Sequence, residues 1–286
     1  MPHTPPAVEI PTRVLVLGMV RTDGTVDAGE LYAAAGSLGM TDQQVRLCIK
    51  RLAAEGRLTQ EGRGRQAVLR ITPDATGAFD PDLDLVAYAY LQDRGLAPWD
   101  GSWQLTAFAV PESARPARDA LRAAVLRLGG APLQGGLYVT ANRIDQEVAA
   151  AARSLGVLDA VTTLTTRDLR IGTETDPSAL ARRLWPLEDL AAGYHRLAAV
   201  AGSRLDRLAG RTPTATEALT TAVELAAEFT RAMEPDPLLP PELLPGPWPG
   251  AHAREVFARC WSRLLDVQPP GGPALFAAYA RVLGAA

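Results

Sequence analysis

The sequence predicts an α+β multidomain chain: an N-terminal winged helix-turn-helix over 1–73, a middle ferredoxin-like α+β domain over 74–175, and a C-terminal helical domain over 176–286. Three observations predict it. The first segment reads as three helices followed by a two-stranded hairpin. The second alternates strand, helix and strand, then helix and strand. The third carries helical periodicity, interrupted by a proline-rich strap.

Composition sets the outer bounds. At 286 residues the chain suits two or three domains of roughly 100–150 residues each. A hydrophobic share of 47% and a charged share of 21% are ordinary for a packed protein and exclude a disordered chain, a collagen-like repeat and a coiled-coil rod. No apolar run approaches the roughly 20 residues of a membrane helix. Met1 to Thr12 carries prolines and an acid where a secretion signal needs a basic start and an apolar stretch, so no secretion is expected. Cys48 and Cys260 lie far apart and are expected to be buried thiols in a reducing cytoplasm, not a disulfide.

The net charge of −3 argues against a chain that binds nucleic acid with its whole surface. The segments differ, however. Residues 1–73 hold 9 bases and 7 acids, 74–175 hold 9 and 13, and 176–286 hold 11 and 12. The basic excess concentrates in 41–72, with seven bases against three acids.

Within the first segment, Arg13 to Val20 is an apolar stretch whose length and flanks favour a buried helix capped by Thr12. Thr22-Asp23-Gly24 is a turn, Thr25 to Asp27 a short strand, and Ala28 to Ser37 a helix ended by Gly36 to Gly39. Thr41 to Gln44 matches a capping box. Val45, Cys48, Ile49, Leu52 and Ala53 follow at the spacing of one buried face. The opposite face presents Gln43, Arg46, Leu47, Lys50 and Arg51. Arg57 to Gln60 and Gln66 to Thr72 read as strands, joined by the basic tip Glu61-Gly62-Arg63-Gly64-Arg65. In a helix-turn-helix the second helix of the pair enters the major groove, and arginines on a hairpin tip can reach phosphates or a minor groove. A solvated helix face is the bland alternative, and the Arg-Gly-Arg tip weighs against it.

Pro73 to Pro81 reads as a linker and Leu83 to Gln92 as a helix. Trp99 to Trp103 is a compact aromatic turn. Gln104 to Val110, Gly136 to Thr140 and Ala160 to Leu169 are strands; Arg115 to Leu128 and Gln146 to Leu155 are helices. Beyond Asp176, helices are expected over 179–184, 187–208, 216–233, 254–265 and 273–283, with a break at Trp185-Pro186. Asp236 to Gly250 holds six prolines, but its four leucines and Trp248 favour an extended strap packed on helices.

These residues support a resemblance. The chain resembles the PaaX family, the repressors of phenylacetate-degradation genes. The resemblance is carried by Val45-Arg46 through Arg51-Leu52 with Glu55-Gly56 and Arg63-Gly64-Arg65; by Trp99 to Trp103 with Phe108 to Glu112 and Arg115, Arg118, Leu121 and Arg122; by Leu184-Trp185, Leu187 and Tyr194; and by Asp236-Pro237 through Trp248-Pro249-Gly250 with Ala253-Arg254. Gln66 and Val68 stand where the family hairpin usually has Ser and Tyr, and Arg57 where the family often has an aromatic residue. The resemblance implies an N-terminal winged helix, a middle domain similar to a CRISPR-associated small nuclease, a helical C-terminal domain, and a cytoplasmic bacterial homodimer released from an operator by phenylacetyl-CoA or another aryl-CoA thioester.

The expected DNA-binding residues are Gln43, Gln44, Arg46, Lys50, Arg51, Arg63 and Arg65, with Gln44 also claimed by its cap. An acyl-CoA pocket would be mainly apolar with a few cations, and its candidates are Trp185, Tyr194, His195, Arg196, Trp248, Arg254 and Trp261. For each of these the competing role is core packing or plain surface. No cofactor or metal and no membrane partner are expected. The three histidines, His3, His195 and His252, have no partners at metal-ligand spacing, and no nucleophile elbow or P-loop occurs. A nuclease of the middle domain's type keeps an Asp at the end of its first strand, where this chain has Phe108-Ala109-Val110. The alternatives that stay open are a regulator, repressor or activator, of another pathway with a different effector or none; a dimerisation module without ligand; and, disfavoured, a metal-dependent nuclease.

Overall fold

The computed structural model describes residues 8–72, 83–267 and 272–285. The expected linker at 73–81 and His3 lie outside the described residues. The fold is mixed α+β, with eleven helices and two small sheets among the described residues. Contacts divide the chain into two compact units: Met1–Ala87 with Tyr194–Arg231 and Gly250–Ala286, and Tyr88–Gly193 with Ala232–Pro249.

The first unit opens with α1 (Thr12–Gly18), β1 (Thr25–Asp27), α2 (Ala28–Ser37), α3 (Asp42–Ala54), β2 (Leu58–Glu61) and β3 (Val68–Ile71). Thr12 is not the cap of α1: Pro11 holds that position, and its carbonyl accepts from the Val14 amide at 2.8 Å. Proline brings no amide and no side-chain acceptor to that position, and α1 starts without a side-chain cap. Asp27 caps α2, accepting from the Glu30 amide at 2.9 Å. The capping box of α3 is present in both directions. Val45, Ile49 and Leu52 are buried as the periodicity requires, Cys48 is half-buried, and Ala53 is exposed, one residue before the helix ends. The three strands form an antiparallel sheet in the order β1-β3-β2. The second strand of the expected hairpin is shorter than the sequence suggested. Gly64–Gln66 winds into a single 3-10 turn before β3 begins, and the left-handed φ of Gly62 and Gly64 makes that tight turn possible.

Four further helices complete this unit: α8 (Leu187–Leu208), α9 (Ala215–Met233), α10 (Pro249–Leu265) and α11 (Ala274–Ala285), the first three of them partly. A Cβ on Gly18 would stand 3.4 Å from a Val223 methyl, and the Ala274 amide donates to the Val20 carbonyl at 2.7 Å, so α1 is fastened to the C-terminal helices. Phe229, Phe257, Trp261, Phe276 and Tyr279 form an aromatic core with ring centroids 4.3–5.6 Å apart. Both cysteines are free. Burial pushes the Cys260 thiol up to about 11 and raises the half-buried Cys48 thiol in the same direction.

The second unit takes the later part of α4 (Leu83–Asp93), then β4 (Trp103–Phe108), α5 (Arg115–Arg127), β5 (Ala131–Gln134), β6 (Leu137–Thr140), α6 (Asp145–Ser154), β7 (Val161–Thr166) and α7 (Pro177–Leu184). From β4 onward the order is βαββαβ, and the strands lie antiparallel as β5-β6-β4-β7. β5 was not legible: Pro132 and a register shift interrupt it, and a proline argues against a strand unless that strand is an edge, which β5 is. Leu121, Val125, Tyr138, Ile144 and Val148 form one core and Trp103, Leu105, Val139, Leu180 and Trp185 another. The aromatic turn holds itself: Asp100 accepts from the Ser102 amide and hydroxyl, which keeps its carboxyl below the usual range, and Trp99 Nε1 donates to the Ser102 carbonyl at 2.9 Å. The proline-rich strap is packed as expected. Asn142 donates to the Pro237 and Leu238 carbonyls at 2.9 and 3.0 Å, and Gln92 to Leu238 at 2.8 Å. Gly129, at φ 84°, is required there, because a Cβ would lie 2.7 Å from the Pro237 oxygen.

Candidate nucleic-acid interface

The α3 face and the hairpin tip lie side by side in the first unit. Val45, Ile49 and Leu52 turn inward, and this alone forces Gln43, Arg46, Leu47 and Lys50 outward. All seven expected DNA-binding residues are exposed. Gln44 is spent as its position suggested: its Oε1 accepts from the Thr41 amide at 2.7 Å and the Thr41 hydroxyl at 3.0 Å.

Asp42 joins the helix to the hairpin. Its carboxylate lies 3.3 Å from Arg65 on the hairpin turn and 3.8 Å from Arg46 one helical turn away. The Arg65 guanidinium also sits 5.4 Å above the centre of the Tyr32 ring on α2. Lys50, Arg51 and Arg63 make no ion pair among the described residues. A groove of about 410 Å³ opens between these elements, lined by Tyr32 from α2, Arg46, Ile49 and Lys50 from α3, and Gln60 and Gly64 from the hairpin. Arg51 points the other way, into a second groove of about 410 Å³ with Arg13, Leu47, Cys48 and Glu55, where Arg13 pairs with Glu55 at 2.9 Å. The predicted cations are thus split: Arg46, Lys50 and Arg65 gather on one side, Arg51 stands on the α1 side, and Arg63 lies at the tip. Sequence reasoning missed Tyr32, Asp42 and Gln60. Asp42 was visible inside the capping box, but nothing in the sequence tied it to Arg65, 23 residues on.

The effector candidates fall in both units. In the first, Tyr194 is fully buried and its hydroxyl accepts from Arg254 at 2.8 Å, with the guanidinium 5.1 Å from the ring centre. Arg196 forks onto Glu228 at 2.8 and 3.0 Å, and His195 is exposed. Trp261 is fully buried in the aromatic core, its Nε1 without a hydrogen-bond partner among the described residues. In the second, Trp185 stacks on Trp103 at 6.3 Å and donates to the Gly129 carbonyl at 3.1 Å, while Trp248 packs on the same core. Within the first unit Tyr194 and Arg254 are in contact by hydrogen bond; within the second, Trp185 and Trp248 share a core. β4 ends at Phe108, followed by Ala109 and Val110, and no cluster of three or more His, Cys, Asp or Glu able to hold a metal occurs among the described residues. No helix among them is long and apolar enough to cross a membrane.

Comparison with known proteins bears on residues 96–268. Residues 96–180, which include the βαββαβ unit, match the PaaX protein central Cas2-like domain, and residues 185–268 match the PaaX-like protein C-terminal domain. Both are domains of transcription regulators. The chain belongs to the PaaX family. No curated protein matches it. Among solved structures, the uncharacterized protein Rv0674 from Mycobacterium tuberculosis is 23% identical, with 85% of this chain and 91% of that one covered at a TM-score of 0.46.

Proposed function

We propose that this PaaX-family regulator binds an operator duplex through a winged helix-turn-helix built by α1–α3 and the β1-β3-β2 sheet. In this reading α3 is the recognition helix. Gln43, Arg46 and Lys50 face base edges and phosphates in the major groove, and Arg63 and Arg65 on the hairpin turn follow the backbone. Arg51 meets a phosphate on the α1 side, and Gln44 acts through its cap. The single observation that carries the reading is that Arg46 on α3 and Arg65 on the hairpin turn share the Asp42 carboxylate, beside a groove lined by Arg46 and Lys50. The domains are those of the sequence: 1–73 for DNA, 74–175 as a ferredoxin-like pairing domain, and 176–286 as a helical domain that takes the effector. The protein acts as a cytoplasmic homodimeric repressor of an aromatic catabolic operon, released by phenylacetyl-CoA or a related aryl-CoA thioester. The family supports that part of the reading.

The test is binding at fixed salt to a duplex selected from random sequence by the wild-type protein. Arg46→Ala and Arg65→Ala are expected to weaken binding about tenfold or more, and to lower the dependence of log K on log salt by about one ion for each phosphate no longer bound. Both side chains are exposed, so the unfolding midpoint stays unchanged. Equal affinity for wild type and both variants overturns the DNA reading. Failure of phenylacetyl-CoA to release the duplex overturns the effector alone.

A further inference from the structure

We propose that Tyr32 on α2 is a positioning residue for DNA binding: its ring holds the Arg65 guanidinium where a phosphate lying between α3 and the hairpin turn takes it up. The proposal rests on the DNA reading and adds to that surface a residue that itself meets no DNA. Tyr32 is 6% exposed, and Leu31, Ala34 and Ala35 beside it on α2 are buried, so packing fixes the ring. The Arg65 side chain is 62% exposed, and its guanidinium lies 5.4 Å above the ring centre.

One contact sets both ends of this stack. The turn Gly64–Gln66 lies against the start of α2. The Ala28 amide donates to the Ala67 carbonyl at 3.0 Å, and a Cβ on Gly29 would stand 3.1 Å from the Arg65 carbonyl oxygen. The Arg65 backbone is thus carried by the same helix as the ring beneath its side chain. Arg63, two residues earlier, is exposed and makes no ion pair among the described residues. One arginine of the hairpin is held in advance and the other is not.

Two groups hold Arg65, and only one can stay when DNA arrives. The Asp42 carboxylate, 3.3 Å away, competes with a phosphate for the same donors. The Tyr32 ring is neutral and takes the face of the guanidinium, which leaves the N–H groups in its plane for an anion. A side chain already held loses less freedom on binding, so the ring strengthens the contact without adding a charge. A phosphate contact in a fixed place also sets the register of the duplex against α3, which favours the selected sequence over unrelated DNA.

The test is competition binding of the full chain to the selected duplex and to an unrelated one over a series of salt concentrations. Tyr32→Met fills much of the ring's space without its π face. It should weaken binding of the selected duplex by about three- to fivefold, the worth of one held side chain, and weaken the unrelated duplex less. The slope of log K against log salt should stay as in wild type, because Arg65 still reaches its phosphate, whereas Arg65→Ala lowers that slope by about one. Tyr32→Phe keeps the ring and should bind as wild type does. In an Arg65→Ala background Tyr32→Met should have no further effect. An equal loss in both backgrounds means that Tyr32 acts through the fold alone and overturns the proposal, as does unchanged affinity in Tyr32→Met. Should Tyr32→Met fail to fold, NMR relaxation of the arginine Nε–H groups in free wild type decides: Arg65 restricted beside a mobile Arg63 supports the proposal, and equal mobility overturns it. A wild type that selects no duplex overturns the DNA reading, and this proposal with it, before any variant is compared.

Discussion

The arginines of α3 and the hairpin and those between α8 and α9 are one residue type under opposite conditions. Arg46 and Arg65 are exposed and hold a shared carboxylate loosely, at 3.8 and 3.3 Å. Arg204 is 5% exposed and grips Glu224 at 2.7 Å; Glu228, 1% exposed, is gripped by Arg196 at 2.8 Å and also by Arg231. An exposed pair in water is worth little, so its cation can exchange one anion for another. A buried pair has shed its water, and each partner depends on the other. The first arrangement suits binding a polyanion; the second fixes two helices in register.

The comparison predicts opposite outcomes for the same kind of change. Arg204→Met leaves Glu224 mostly buried with only the longer 3.9 Å contact to Arg207, and is expected to lower unfolding stability by about 2–3 kcal/mol in urea titrations, with little effect on DNA binding by the folded protein. Arg46→Ala should do the reverse. If Arg204→Met leaves stability within about 0.5 kcal/mol of wild type, the buried pair is no more committed than a surface one and the contrast collapses.

A smaller effect separates the helix from its cargo of charge. Thr41→Ala removes half of the capping box of α3 and should cost about 1 kcal/mol of stability. Because the Gln44 amide then loses its acceptor, Thr41 Oγ1, the helix start frays first where Asp42 and Gln43 sit. DNA affinity measured well below the melting transition should fall less than for Arg46→Ala. An equal fall would mean that the helix terminus itself, not the cations, makes the main contact.

What could be read in the sequence divides along the same line. The exposed site was legible because it is local: the capping box, the apolar face of α3 and the basic tip all lie within 41–72, and each obeys a spacing rule. The buried pairs were not, since Arg196 and Glu228 are 32 residues apart, Arg204 and Glu224 are 20 apart, and a charge on an amphipathic helix reads as solvated. β5 was hidden for a related reason. Its proline is a counter-signal locally and makes sense only once the strand is known to be an edge. For the effector candidates the sequence left core packing and a pocket both open. Tryptophan and arginine suggested a pocket, but Trp261 and Trp185 fill cores and Arg196 holds Glu228.

The smallest predicted effect concerns Asp42, the acid between Arg46 and Arg65 in the proposed interface. It stands at the start of α3, where it favours the helix dipole, and it holds Arg46 and Arg65 together. A phosphate reaching this groove must displace that carboxylate from both guanidinium groups and lie near a like charge. Asp42 therefore opposes DNA in general, while it positions Arg65 over Tyr32 for one geometry. Asp42→Asn keeps the shape and removes the charge. It should raise affinity for unrelated duplex DNA by a few-fold, by roughly the worth of one exposed ion pair, while affinity for the selected duplex changes less. The ratio of the two, measured by competition at fixed salt, should fall. A rise in that ratio would mean that Asp42 only withholds Arg65, and that the guanidinium finds its place on DNA without being held.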